Sequence, residues 1–202
     1  MEPLSNIPEP VGAGEPTGTV VTDPPKRSGG DAVRMAFEWV GLVVLALIIA
    51  LLIKTFLFQA FYIPSESMVP TLKVHDRVLV NKLSYKLHDV HRGDIVVFKA
   101  PPGSDPGIDD LVKRVIGLPG ETVSGHGGHV YINNKELPEP YLPKGMYTSD
   151  FAPVKIPPNS YWVMGDNRIN SKDSRVFGTI SKGKIVGRVF VRIWPLSRLG
   201  FL

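Results

Sequence analysis

From Trp39 to Ile53 the chain carries no charged residue, and apolar character resumes after Lys54 as far as Phe61. A helix over 36–58 would cover the roughly 30 Å hydrocarbon core of a bilayer at about 1.5 Å per residue. The pattern therefore predicts one membrane-spanning helix. Lys54 would lie near an interface with its stem snorkelling outward, and Phe56, Phe58, Phe61 and Tyr62 would sit in the interfacial aromatic zone. A buried core helix is the alternative, but few soluble helices are apolar on every face. A cleavable signal peptide would have a shorter apolar run nearer the N-terminus. Ahead of the span, residues 1–35 hold six prolines, the Gly29-Gly30 pair and almost no apolar clustering, which predicts a disordered tail.

Behind the span, residues 59–202 show short β-branched runs separated by turn residues. Asp76–Val80, Asp94–Phe98, Leu111–Ile116, Tyr161–Met164 and Gly187–Trp194 read as strands. His129–Ile132, Asn133-Asn134 and Lys135–Leu137 read as a hairpin, because the asparagines tolerate left-handed backbone. After residue 90 no amphipathic helix longer than a turn or two is evident. The predicted fold class is mainly β: an antiparallel sheet or barrel-like domain behind a single N-terminal transmembrane helix.

Composition narrows the chemistry. At 202 residues with 43% hydrophobic content, the chain accommodates one ordinary domain besides the anchor. Cysteine is absent, which excludes disulfides, thiol nucleophiles and thiolate metal sites. The net charge of +4 is scattered among acids, which suits a face near anionic lipid and gives little support for nucleic-acid binding. Lys26, Arg27 and Arg34 before the span favour a cytoplasmic tail with the domain outside, but Lys73, Arg77 and Lys82 follow closely, so the charge bias is small.

Ile63-Pro64-Ser65-Glu66-Ser67-Met68-Val69-Pro70-Thr71-Leu72 is the stretch with most chemical promise. Pro64 and Pro70 exclude a regular helix or central strand, which predicts a bent, rigid loop presenting Ser67. A serine so placed can act as a nucleophile if a base and oxyanion donors stand nearby. Taken alone, the stretch reads rather as a Ser/Pro-rich linker between an anchor and a domain, since loops mostly connect. His75, His88, His91, His126 and His129 all lie in polar or Gly-rich surroundings and read as loop residues. Their spacing does not sit on a helical pattern, so no metal site is predicted. Serine can also be activated by a lysine whose ammonium is destabilised by burial. Lys113, in Asp109-Asp110-Leu111-Val112-Lys113-Arg114-Val115-Ile116, fits that context, and Lys82 competes on the same grounds. An ordinary solvated lysine is the alternative for both. In a strand Lys113 and Arg114 face opposite sides, so one could be buried and the other solvated.

Three segments in order, behind a membrane segment, resemble the type I signal peptidases, membrane-anchored Ser-Lys proteases that remove signal peptides. Ser65–Leu72 looks like the family's nucleophile motif and Lys113–Glu121 is similar to its general-base motif. Gly165–Arg175 matches its third motif, and Asp76–Lys82 resembles a supporting strand. The resemblance implies that Ser67 is the nucleophile, Lys113 the general base, Ser65 an oxyanion donor beside the Ser67 N–H, and Ser171 the residue orienting the lysine amine. Arg114, Asp166, Asp173 and Arg175 would form supporting ion pairs. It also implies exported preproteins with small residues at the first and third positions before the cut as substrates. No cofactor or metal is implied, and a monomer in the plasma membrane with its catalytic domain on the extracytoplasmic face is expected. Three positions depart from the family pattern: Ile169 replaces a frequent acid, Gly125 an apolar residue, and Glu66, expected to face solvent, a small residue. Competing readings are a related Ser-Lys peptidase dedicated to one pilin or conjugation precursor, and a non-catalytic anchored β domain. The C-terminal Ile193–Leu202 reads either as a membrane-surface contact or as a strand end packed on the core.

Overall fold

The apolar run folds as one helix, α1 (Gly29–Phe56), in a computed structural model that describes residues 29–104 and 107–202. Within it, Val33–Leu52 is long and apolar enough to cross a membrane, and every described side chain on the helix is exposed. The side chains of residues 53–56, Lys54 among them, and the tail segment 1–28 lie outside the described residues. The helix starts ahead of the expected Ala36, and Arg34 in the added turns forms an i,i+4 pair with Glu38 at 3.3 Å. The chain divides into two units within α1, Met1–Leu45 and Ala46–Leu202.

The second unit is built from antiparallel strands. In chain order they are β1 (Phe58–Tyr62), β2 (Arg77–Asn81), β3 (Ile95–Lys99), β4 (Asp110–Gly117), β5 (Thr122–His126), β6 (His129–Ile132), β7 (Lys135–Glu136), β8 (Phe151–Lys155), β9 (Ser160–Met164), β10 (Ile180–Ser181), β11 (Ile185–Trp194) and β12 (Gly200–Phe201). One sheet runs β1-β2-β11-β3-β4-β9-β10, with β12 pairing β11, and a second runs β7-β6-β5-β8. Two single-turn helices, α2 (Ser84–Leu87) and α3 (Ser174–Phe177), complete it. The mainly β, antiparallel expectation is met.

Alternation explains why these segments pair. Val78 and Val80 of β2 are fully buried while Arg77 is exposed, so one face of the strand enters the core. β3 and the end of β4 are buried on both faces, matching their unbroken β-branched composition. Asn133 and Asn134 have φ of 50° and 64°, as a two-residue hairpin turn needs. The aromatic residues after the span stand on a strand, not on a continuing helix. Phe58 to Tyr62 pair residue by residue with Asn81 to Arg77, and Phe58 stacks obliquely on Phe190 at 5.6 Å. The ladder satisfies their backbone groups, which a continued helix there would have to satisfy without it.

Gly125 also has a structural account. A Cβ at this position would lie 2.4 Å from a Phe151 ring carbon, and the β5–β8 register shifts between Val123 and Gly125. An apolar side chain there would push the ring off Trp162, on which it stacks at 5.3 Å.

Candidate active site

The connection from β1 to β2 carries the serine stretch. Its two ends are tied by backbone bonds, from Ile63 N–H to the Asp76 carbonyl and from His75 N–H to the Ile63 carbonyl, both 2.9 Å. Met68 and Leu72 are buried in the cluster formed with Ile63, Val78, Val97 and Val189, which pins the middle of the loop to the core. Asp76, 1% exposed, accepts from Lys73 N–H at 2.8 Å and from Arg198 Nη1 at 2.7 and 2.8 Å. Arg192 Nη1 donates to the Thr71 carbonyl at 2.7 Å. The loop is therefore held from inside by apolar burial and from outside by two arginines.

β4 brings the lysine. Lys113 sits opposite Val96 of β3, is 2% exposed, and its Nζ lies 2.6 Å from Ser67 Oγ. Ser65 Oγ is 3.3 Å from Ser67 Oγ, either hydroxyl being the donor. These groups line a groove of about 460 Å³ whose apolar wall includes Val74, Ile108 and Leu111. Lys82 is elsewhere, lining a different hollow with Tyr85, Lys86 and Lys182. The histidines make other contacts: His75 bonds to the Tyr62 hydroxyl, His126 stacks on Tyr131 at 3.8 Å, and His129 lies 3.1 Å from Glu136.

Lys113 and Arg114 are both buried, where the alternation of a strand allowed one of them to be solvated. Arg114 keeps its charge inside because it has compensation. It bonds to Asp166 through Nε at 2.8 Å and Nη2 at 2.6 Å, donates to the Gly93 carbonyl at 2.8 Å, and lies 4.0 Å above the Tyr141 ring. Asp166 also accepts from the Thr71 hydroxyl, so the pair joins β4 to the serine loop.

The segment 165–175 closes the site. Asn167 N–H donates to the Ser67 carbonyl at 3.1 Å, and Asn167 Nδ2 to the Glu66 carbonyl at 3.2 Å. Asp173 accepts from Gly165 N–H at 3.1 Å and pairs with Arg175 at 2.8 Å. Ser171 lies against Gly165 with its hydroxyl buried and unbonded, so the expected bond to the lysine amine is not formed in this structure. Glu66 is exposed, as expected, with Oε2 3.4 Å from Asn170 Nδ2. Ile169 is 78% exposed.

Gly165 is required sterically. A Cβ there would lie 2.3 Å from both the Ser67 carbonyl oxygen and Ser171 Oγ. Gly165→Ala is expected to displace the serine loop, costing about 1–3 kcal/mol of stability as an overpacking change. Unfolding midpoints in detergent, measured beside turnover, check this; an unchanged midpoint with unchanged turnover would contradict the close approach.

Sequence reasoning missed several supports. Arg168 is 1% exposed and bonds Gly165, Thr148 and Glu139. Burial works to lower its basicity, but the hydrogen bond and charge of Glu139 outweigh this and raise it. Tyr141 donates to Glu139, and burial together with that carboxylate pushes its phenol far up, so it stays a donor. The clamps Arg192 and Arg198 were also missed. Their partners lie more than a hundred positions away, and no local pattern signals such a pairing.

Residues 36–194 match the family described as signal peptidase, peptidase S26. The chain is 43% identical over 191 residues to a signal peptidase I of Leptolyngbya laminosa, covering 93% of this chain and 94% of that protein. It is 40% identical over 179 residues to signal peptidase I S of Bacillus subtilis (strain 168), covering 82% and 93%. A crystal structure of a signal peptidase I from Enterococcus faecalis V583 is 34% identical, covers 50% of this chain and 97% of that one, and has a TM-score of 0.44. With its serine loop, buried lysine and closing segment falling inside the matched residues, the chain belongs to the signal peptidase family, peptidase S26.

Proposed function

We propose that this protein is a membrane-anchored serine endopeptidase that removes N-terminal signal peptides from exported preproteins, using Ser67 as nucleophile and Lys113 as general base. The observation that carries the reading is the 2.6 Å approach of a lysine amine, 2% exposed, to a serine hydroxyl on a clamped loop. Burial disfavours an ammonium relative to an amine, and a neutral amine can accept the hydroxyl proton.

In the proposed reaction, Lys113 takes the Ser67 proton as Ser67 Oγ attacks the scissile carbonyl. The amine then protonates the leaving nitrogen, and later takes a proton from the water that releases the acyl group. The Ser65 hydroxyl and the Ser67 N–H face the carbonyl oxygen as it gains charge. Ser171, whose hydroxyl is buried and unbonded beside Gly165, is the residue assigned to orient the amine. The apolar groove wall accepts the small residues before the cut. The anchor keeps enzyme and precursor in one membrane plane, which raises their effective concentration. In this reading α1 is the anchor, the catalytic unit works on the extracytoplasmic face of the plasma membrane, and the protein acts as a monomer.

The test is cleavage of a precursor peptide with small residues at the first and third positions before the cut. Full-length protein in detergent should cleave it at one bond, and replacing either small residue by a large one should stop cleavage. Turnover insensitive to those replacements would count against the reading. Ser65→Ala is expected to lower kcat by roughly 10²–10³-fold with KM little changed, as for loss of one oxyanion donor. A rise in KM alone would instead make Ser65 a substrate-binding residue.

A further inference from the structure

Lys82 has no part in the proposed chemistry, and its surroundings suggest another use. It shares a hollow of about 470 Å³ with Lys86 of α2 and Lys182, beside β11, over an apolar lining of Leu83, Ile185 and Val186. Asp89, 85% exposed, pairs with Lys182 at 3.3 Å. The Tyr85 hydroxyl at the rim donates to Asp94, and Arg188 also pairs with Asp94 at 3.0 Å. Three lysines thus line one hollow, and the acid paired with Lys182 stands outside that lining.

The position of the hollow supplies the second argument. Lys82 N–H donates to the Leu57 carbonyl at 2.9 Å, and Leu57 follows Phe56, the last residue of α1. If α1 spans the bilayer, a chain leaving the hydrocarbon at its end would reach the headgroup layer near this point, which would put the hollow at phosphate depth. Its apolar lining suits the glycerol and first methylenes of a lipid, and its lysines suit the phosphate. We propose that Lys82, Lys86 and Lys182 form a site for the phosphate headgroup of an anionic phospholipid in the leaflet where α1 ends. The proposal rests on the reading of α1 as a membrane anchor.

The experiment uses full-length protein in detergent and native mass spectrometry of lipid adducts, with phosphatidylglycerol, phosphatidylcholine and inorganic phosphate as separate probes. The parent should retain one phosphatidylglycerol. The variant K82Q/K86Q/K182Q should bind it at least about tenfold more weakly. A control of equal charge loss on exposed lysines of the second sheet and its loops, K135Q/K144Q/K155Q, should bind it like the parent. Equal binding by parent and K82Q/K86Q/K182Q, or an equal loss in the control, overturns the proposal. Inorganic phosphate binding as tightly as phosphatidylglycerol also overturns it, in favour of a soluble phosphate ligand. Flotation on phosphatidylcholine vesicles after an alkaline wash reads the anchor independently of the lysines. If the parent fails to float, the anchor reading falls and this proposal with it. If it floats and lipid discrimination is absent, the hollow alone is refuted.

Discussion

Lys113→Met and Ser67→Ala each reduce cleavage of a small-residue precursor peptide by roughly 10⁴–10⁶-fold, and the double variant is no slower than either. Methionine keeps the length of the lysine and removes its amine, so the groove should keep its shape. Non-additivity is expected because the 2.6 Å pair acts as one device: neither a base without a nucleophile nor an unactivated serine does chemistry. Matching circular dichroism and unfolding midpoints would show that the variants are folded. If Lys113→Met cleaved like the parent, the amine would be a packing group and the base another residue. Single-turnover measurements would also show whether acylation, the first step to need the amine, is the step that fails.

The second large effect is on stability. Asp166→Asn leaves the Arg114 guanidinium buried beside a neutral amide, where it had two charge-assisted bonds. Loss of one partner of a buried pair costs about 3–5 kcal/mol, because the remaining charge is uncompensated. Chemical unfolding of the parent and variant in the same detergent measures this. Replacing both residues, as in Arg114→Met with Asp166→Leu, should recover much of the loss, since no charge is then stranded. The Lys99–Asp110 pair, whose lysine is 60% exposed, should change stability by less than about 1 kcal/mol when broken. Equal losses at the two pairs would mean that burial is not what makes Asp166 important.

The sequence made some of this architecture legible and hid the rest for identifiable reasons. β2, β3, β4, β6, β9 and β11 stand out because β-branched residues recur on one or both faces and turn residues bound them. β5 and β8 do not, since Ser124, Gly125 and Pro153 dilute their β character and pairing alone holds them. β1 was hidden by its neighbour: its aromatic residues continue the apolar pattern of α1, and nothing local marks the change from helix to ladder. At the site, Ser65, Ser67, Lys113 and the 165–175 segment were visible through motif resemblance. The burial of Arg114 was not, because it depends on Asp166 and Tyr141 arriving from distant positions. For the C-terminal segment, the structure contains a feature of each sequence reading. β12 pairs β11 and Leu202 packs on the first core cluster, while Leu196, Leu199 and Phe201 remain exposed.

The clamp on the serine loop sets an order of assembly. Ser67 and Lys113 both precede Arg192 and Arg198, the two residues that hold Thr71 and Asp76 in place. During synthesis, the nucleophile and its base leave the ribosome before either arginine does. A chain at that stage has Asp76 without the Arg198 guanidinium and the Thr71 carbonyl without Arg192. The cutting geometry is thus among the last features to mature, after the anchor and most of the strands are already made.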